Sequence, residues 1–129
     1  MASKKQLHPT EAELSILRVL WQRGPSTVRE VHSALSNQQV TGYTTTLKLM
    51  QIMAEKGLVS RDESQFSHVY KAVLKEDLAQ RQFVKEMLHK VFDGSAAKLV
   101  MQALAAKKAS SEELAEIRKL LDKMERDKK

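Results

Sequence analysis

The spacing of apolar residues changes at Gly57 and changes back after Val73, and this double switch limits the folds open to the chain. Before Gly57 apolar residues recur at steps of three and four, the period of a helix with one buried face. From Leu58 that period stops, and short apolar runs around a polar loop read as strands. After Val73 the helical period returns. All four glycines and both prolines fall where helices start or stop, so the punctuation agrees with the period.

Thr10 and Glu13 form a capping box after Pro9, and Leu14, Leu17, Leu20 and Trp21 follow at helical spacing up to Gly24-Pro25. Trp21 reads as core. Thr27 and Glu30 make a second box, opening a short helix with the stripe Val28, Val31 and Leu35 that ends near Ser36-Asn37. A polar connection from Gln38 to Gly42 leads to a third helix from Tyr43 to Lys56. Leu47, Met50 and Ala54 are expected to face inward, with Met53 at the margin. Thr44, Lys48, Gln51 and Glu55 are expected on the opposite face. Gly57 followed by Leu58 has the form of a left-handed cap with a hydrophobic contact back to the last turn.

Leu58 to Arg61 and His68 to Val73 read as two strands around a loop that is polar apart from Phe66, and a short strand near Ser26 could join them. Helices follow over Lys75 to Phe92 and Ala96 to Lys107. A third capping box, Ser110 and Glu113, opens a last helix striped by Leu114, Ile117, Leu121 and Met124. Helix, helix, helix, hairpin is the order of a winged helix-turn-helix. The expected fold is therefore mainly α with a small β-hairpin wing. A DNA-binding domain is expected over 1–73 and a three-helix dimerisation domain over 74–129.

A helix about 10–12 Å across fits the major groove, and short polar side chains in its first turn can reach base edges. Here that turn is Tyr43-Thr44-Thr45-Thr46, followed by Lys48. Thr44, Thr45 and Lys48 are the expected base readers. Arg29, Tyr43 and Thr46, with Arg61, His68 and Lys71 on the wing, are candidates for the DNA backbone. The alternative for the threonine run is an ordinary helix start.

The formal charge of +6 favours an anionic partner. Residues 1–73 hold nine basic and six acidic side chains, and 74–129 hold thirteen and ten, so each part has a net +3. Charge thus supports the DNA reading less than topology does. There is no cysteine, which removes disulfides and thiolate chemistry. His8, His32, His68 and His89 form no ligand pair, and no motif resembles a nucleophile elbow or a phosphate loop. Neither an enzyme, a metal nor a cofactor is expected. Lysines and glutamates mix along Glu112 to Lys129, which argues against direct membrane binding. With no apolar leader, a soluble cytoplasmic protein is expected.

Several separated motifs resemble the penicillinase-repressor family (BlaI/MecI/CopY). They are Leu7-His8-Pro9-Thr10-Glu11-Ala12-Glu13-Leu14, Val19-Leu20-Trp21, Thr27-Val28-Arg29-Glu30-Val31, Tyr43-Thr44-Thr45-Thr46-Leu47 and Glu55-Lys56-Gly57-Leu58-Val59. Phe92-Asp93-Gly94-Ser95 and Ser110 to Leu121 also resemble that family's tail. The resemblance implies a transcriptional repressor that binds a palindromic operator in double-stranded DNA as a homodimer. It places Thr44, Thr45 and Lys48 in the major groove and the dimer interface on the C-terminal helices. Candidate interface residues are Val84, Leu88, Val91, Leu114, Ile117, Leu121 and Met124.

Copper-responsive members carry a cysteine cluster that this chain lacks. Antibiotic-responsive members are cleaved after a membrane sensor metalloprotease signals. The matching segment is Leu99 to Leu104, with Gln102-Ala103 where those members have Asn-Phe. The second reading of the chain is a winged-helix protein-docking module without sequence-specific DNA binding.

Overall fold

The computed structural model describes residues 8–35 and 42–128. In order, the elements are α1 (Glu11–Arg23), β1 (Ser26–Thr27), α2 (Val28–Leu35), α3 (Tyr43–Lys56), β2 (Val59–Asp62), β3 (Val69–Ala72), α4 (Glu76–Lys90), α5 (Ala96–Ala106) and α6 (Ser111–Asp127). The expected stop of the second helix at Ser36-Asn37 and most of the Gln38 to Gly42 connection lie outside the described residues.

Each expected capping box closes. Thr10 and Glu13 exchange backbone and side-chain hydrogen bonds of 2.9 and 3.2 Å, Thr27 and Glu30 do the same at 2.9 and 3.2 Å, and Ser110 and Glu113 at 3.2 and 3.1 Å. Gly57 takes the left-handed conformation, φ 86° and ψ 10°, and Leu58 N–H reaches back to the Met53 carbonyl at 2.9 Å. That bond satisfies a carbonyl left over by the last turn and drops Leu58 into the core.

The three strands form an antiparallel sheet in the order β1-β3-β2, with Ser26 opposite Tyr70 and Arg61 also opposite Tyr70. The short strand at Ser26 is therefore a true third member of the sheet. The core comprises Ile16, Leu17 and Leu20 of α1, Val28, Val31 and Leu35 of α2, and Met50 and Met53 of α3. Leu58, Val59, Tyr70, Leu74 and Ala79 complete it. Trp21 is half-buried against this core, and its Nε1 donates to the Leu74 carbonyl at 2.9 Å.

Two sequence expectations change. Met53 is fully buried, and the inner face of α3 is Thr46, Met50 and Met53, with Leu47 and Ala54 only partly covered. The boundary also moves. The chain divides into two compact units between Gln82 and Phe83, nine residues beyond the expected 73/74 cut. The reason is packing: Leu74 and Ala79 are buried in the first core, so the linker and the first turn of α4 belong to it.

In the second unit, α4 and α5 are separated by two left-handed residues, Asp93 (φ 53°) and Gly94 (φ 77°). Neither α5 nor α6 has a buried residue. Val84, Met87, Val91, Leu114, Leu121 and Met124 are exposed, while Leu88 and Ile117 are partly covered.

Candidate nucleic-acid interface

α3 begins on Gly42, whose extended backbone (φ −73°, ψ 156°) carries no side-chain cap. α1, α2, α5 and α6 each start with a hydroxyl accepting from the first turn. The first N–H groups of a helix have no intrahelical partner and favour an anion, so the start of α3 can accept a phosphate. Tyr43, Thr44, Thr45 and Lys48 are all exposed around this end.

Tyr43 is held from two sides by α2. The Arg29 guanidinium lies over its ring at 5.5 Å from the centroid, and the His32 ring meets it edge-on at 5.8 Å and 84°. Arg29 and His32 are three residues apart on α2, hence on one face of it. This bracket sets the entry of α3 against α2. Nothing in the sequence pattern announces this bracket.

Thr46 is a correction. It was expected at the DNA backbone, yet its side chain is fully buried. Its Oγ1 lies 3.4 Å from the Gly42 carbonyl and 3.4 Å from His32 Nδ1. The cause is helical period: Thr46 stands four residues before Met50 and seven before Met53, on the inner stripe. It braces the turn from which its neighbours project.

The wing divides its cations. Arg61 stands opposite Tyr70 and Lys71 opposite Ser60, so the two project from opposite faces of the hairpin. Arg61 lines a groove with Arg29, Tyr43, Leu47 and Gln51, closed on the wing side by Phe66, Ser67 and His68. Lys71 lies outside that groove and acts on the Asp62 carboxylate instead. The structure thus gathers Arg29, Tyr43, Arg61 and His68 beside the exposed edge of α3, and leaves Lys71 apart.

Arg61 is also pre-positioned. A hydrogen bond with the buried Tyr70 and the Glu63 carboxylate, 2.6 Å away, hold its pKa above the ordinary guanidinium value. Asp62 accepts from the Ser64 N–H at 2.9 Å, which keeps its carboxyl below the ordinary range.

Gln102 and Ala103 lie exposed within α5, beside an apolar groove lined by Phe83, Val84, Met87, Phe92 and Leu99. Among the described residues no helix is long and apolar enough to cross a membrane, and no three His, Cys, Asp or Glu could hold a metal ion together.

Comparisons with known proteins agree on one family. The model of the family described as Penicillinase repressor matches residues 9–123. The transcriptional regulator BlaI of Mycobacterium tuberculosis, in strains CDC 1551 and H37Rv, is 38% identical over 64 residues, which is 49% of this chain and 46% of that protein. The chain thus matches about half the length of these curated relatives. A solution structure of the DNA-binding domain of the repressor BlaI superposes with a TM-score of 0.51 at 23% identity, covering 57% of this chain and 90% of that one. That likeness shows the winged-helix fold. The match over 9–123 spans both compact units, and the chain belongs to the penicillinase repressor family.

Proposed function

We propose that the chain is a transcriptional repressor that binds a palindromic operator as a homodimer, with α3 in the major groove and the wing against the flanking backbone. The observation that carries this reading is the exposure of Thr44, Thr45 and Lys48 on α3, the helix whose Tyr43, Leu47 and Gln51 line a groove holding Arg29 and Arg61. Threonine offers a hydroxyl and a methyl to base edges, and lysine a charge to guanine or phosphate. The guanidinium groups supply the sequence-independent part of the affinity.

Dimerisation rests on the second unit. Its helices leave Leu114, Leu121 and Met124 of α6, and Val84 and Val91 of α4, in solvent, and a two-fold partner would cover them. A symmetric dimer reads half-sites one helical turn, or a multiple, apart. Release of the operator by cleavage at Gln102-Ala103, on a signal from a membrane sensor metalloprotease, is the corresponding proposal for induction. The exposed position of that bond supports it, although a protease would first have to unwind this part of α5. Such a cycle would run in the cytoplasm.

The test is selection of duplexes from a random pool, followed by footprinting and a salt titration. A repressor gives a palindromic footprint. Its log K falls with log salt with a slope of about −0.9 per phosphate neutralised, so about five contacts give a slope near −4.5. A docking module without DNA specificity would recover no common sequence.

A further inference from the structure

One residue at the wing-side rim of that groove has no role assigned to it. Phe66 sits in the loop between β2 and β3, and at 104% exposure its side chain stands wholly in solvent. Around it are Ser64, Gln65, Ser67 and His68, none of them acidic. The two carboxylates at the base of the loop are already engaged, Asp62 by the Ser64 N–H at 2.9 Å and Glu63 by Arg61 at 2.6 Å. The tip is therefore a neutral, aromatic-bearing projection above a base in which Arg61 and Lys71 balance Asp62 and Glu63. It is also aimed, because Phe66, Ser67 and His68 share one open groove with Arg29, Tyr43 and Arg61 at the start of α3. A ligand that enters this groove against Tyr43, Leu47 and Gln51 of α3 meets Phe66 as well.

We propose that Phe66 is a minor-groove wedge, inserting at a base step of the same duplex that α3 reads in the major groove, with Gln65 beside it facing base edges. This rests on the DNA-binding reading. Apolar wedges of this kind part-unstack a step and kink the duplex, and glutamine is among the side chains that read the minor groove. Unstacking is cheapest at pyrimidine–purine steps, so Phe66 would add a sequence preference at a position that α3 never touches.

The experiment uses the full chain and, as probe, the duplex recovered by wild-type selection from a random 40-base-pair pool. Bending is read by energy transfer between end labels, and unstacking by 2-aminopurine placed at successive steps outside the α3 footprint. Phe66→Ala is expected to lose about ten-fold or more in affinity, to bend the duplex less and to abolish the 2-aminopurine signal at one step. Phe66→Leu should retain most of each. Since the side chain is fully exposed, Phe66→Ala should unfold like the wild type. Wild-type affinity and bending in Phe66→Ala overturn the wedge. Lost affinity with unchanged bend and 2-aminopurine signal also overturns it, leaving Phe66 as a backbone contact. Failure to recover any common duplex overturns the DNA reading itself, and the wedge with it.

Discussion

Lys56 Nζ lies 2.7 Å from Glu13 Oε1, joining the last turn of α3 to the first turn of α1. Glu13 is 3% exposed and Lys56 37%, so the carboxylate is the buried partner. Burial pushes the Glu13 carboxyl up, but Lys56 and the Thr10 N–H and hydroxyl outweigh it and hold the pKa below the ordinary value. Removing the cation leaves a buried charge with only its cap. Lys56→Met should destabilise the N-terminal unit by about 2 kcal/mol at neutral pH, less than for a fully buried pair because Lys56 is partly solvated. A carboxylate with a depressed pKa contributes stability above its unfolded value and loses it as pH falls through the folded value. The gap between wild type and variant should therefore narrow below about pH 4. Urea unfolding at neutral and acid pH checks this, and an equal gap at both would show that the pair contributes nothing.

Period and punctuation made the elements legible. Capping residues and Gly57 fixed helix ends, because each satisfies leftover backbone groups with residues adjacent in sequence. What escaped was every relation between distant residues. Glu13 was readable as a cap, but not its bond to Lys56, 43 residues away. Thr46 was read with its threonine neighbours because they share chemistry, and only the choice of inner stripe separates it from them. Arg61 and Lys71 read alike as wing cations until strand register placed them on opposite faces. The boundary moved because Leu74 and Ala79 pack into the first core and Trp21 bonds to the Leu74 carbonyl, contacts that no local pattern announces.

Glu63 occupies the Arg61 guanidinium at 2.6 Å, in a geometry a DNA phosphate would use. Binding then requires exchange of carboxylate for phosphate. Glu63→Gln should raise DNA affinity about three-fold to ten-fold at low salt, with a smaller gain at high salt. Tyr70→Phe should lower it, by freeing Arg61 from the hydroxyl that positions it. Gel-shift titrations at two salt concentrations decide the matter; unchanged affinity in Glu63→Gln would mean that Arg61 does not meet phosphate.

The threonines of α3 should separate cleanly. Thr44→Ala or Thr45→Ala should cost about 1–3 kcal/mol of operator binding if a base contact is lost, and relax specificity at one position. Lys48→Ala should weaken all sequences alike if it meets only phosphate. Thr46→Ala, by contrast, should destabilise the fold by about 1–2 kcal/mol, because a buried hydroxyl and methyl are removed from the packed start of α3. Paired binding and unfolding curves test this. Wild-type operator binding in Thr44→Ala, Thr45→Ala and Lys48→Ala together would remove the assignment of α3 as reader.

The dimer prediction turns on α6. Leu114 is 37% exposed, Leu121 55% and Met124 57%, while Ile117 between them is partly covered within its own chain. A stripe at alternating steps of three and four is the seam of a helix meant to pack on another. Leu121→Asp puts a charge on a largely exposed part of that stripe, where the single chain buries little. It should therefore shift the chain to monomer at micromolar concentration while leaving unfolding of the N-terminal unit unchanged. Ile117→Asp should do the same and also loosen α6 itself. Operator affinity should fall steeply in both, since two linked half-sites gain about a hundred-fold or more over one. Sedimentation and gel-shift assays on the same samples give both readings, and a dimer that survives Leu121→Asp would place the seam elsewhere, on the exposed Val84 and Val91 of α4.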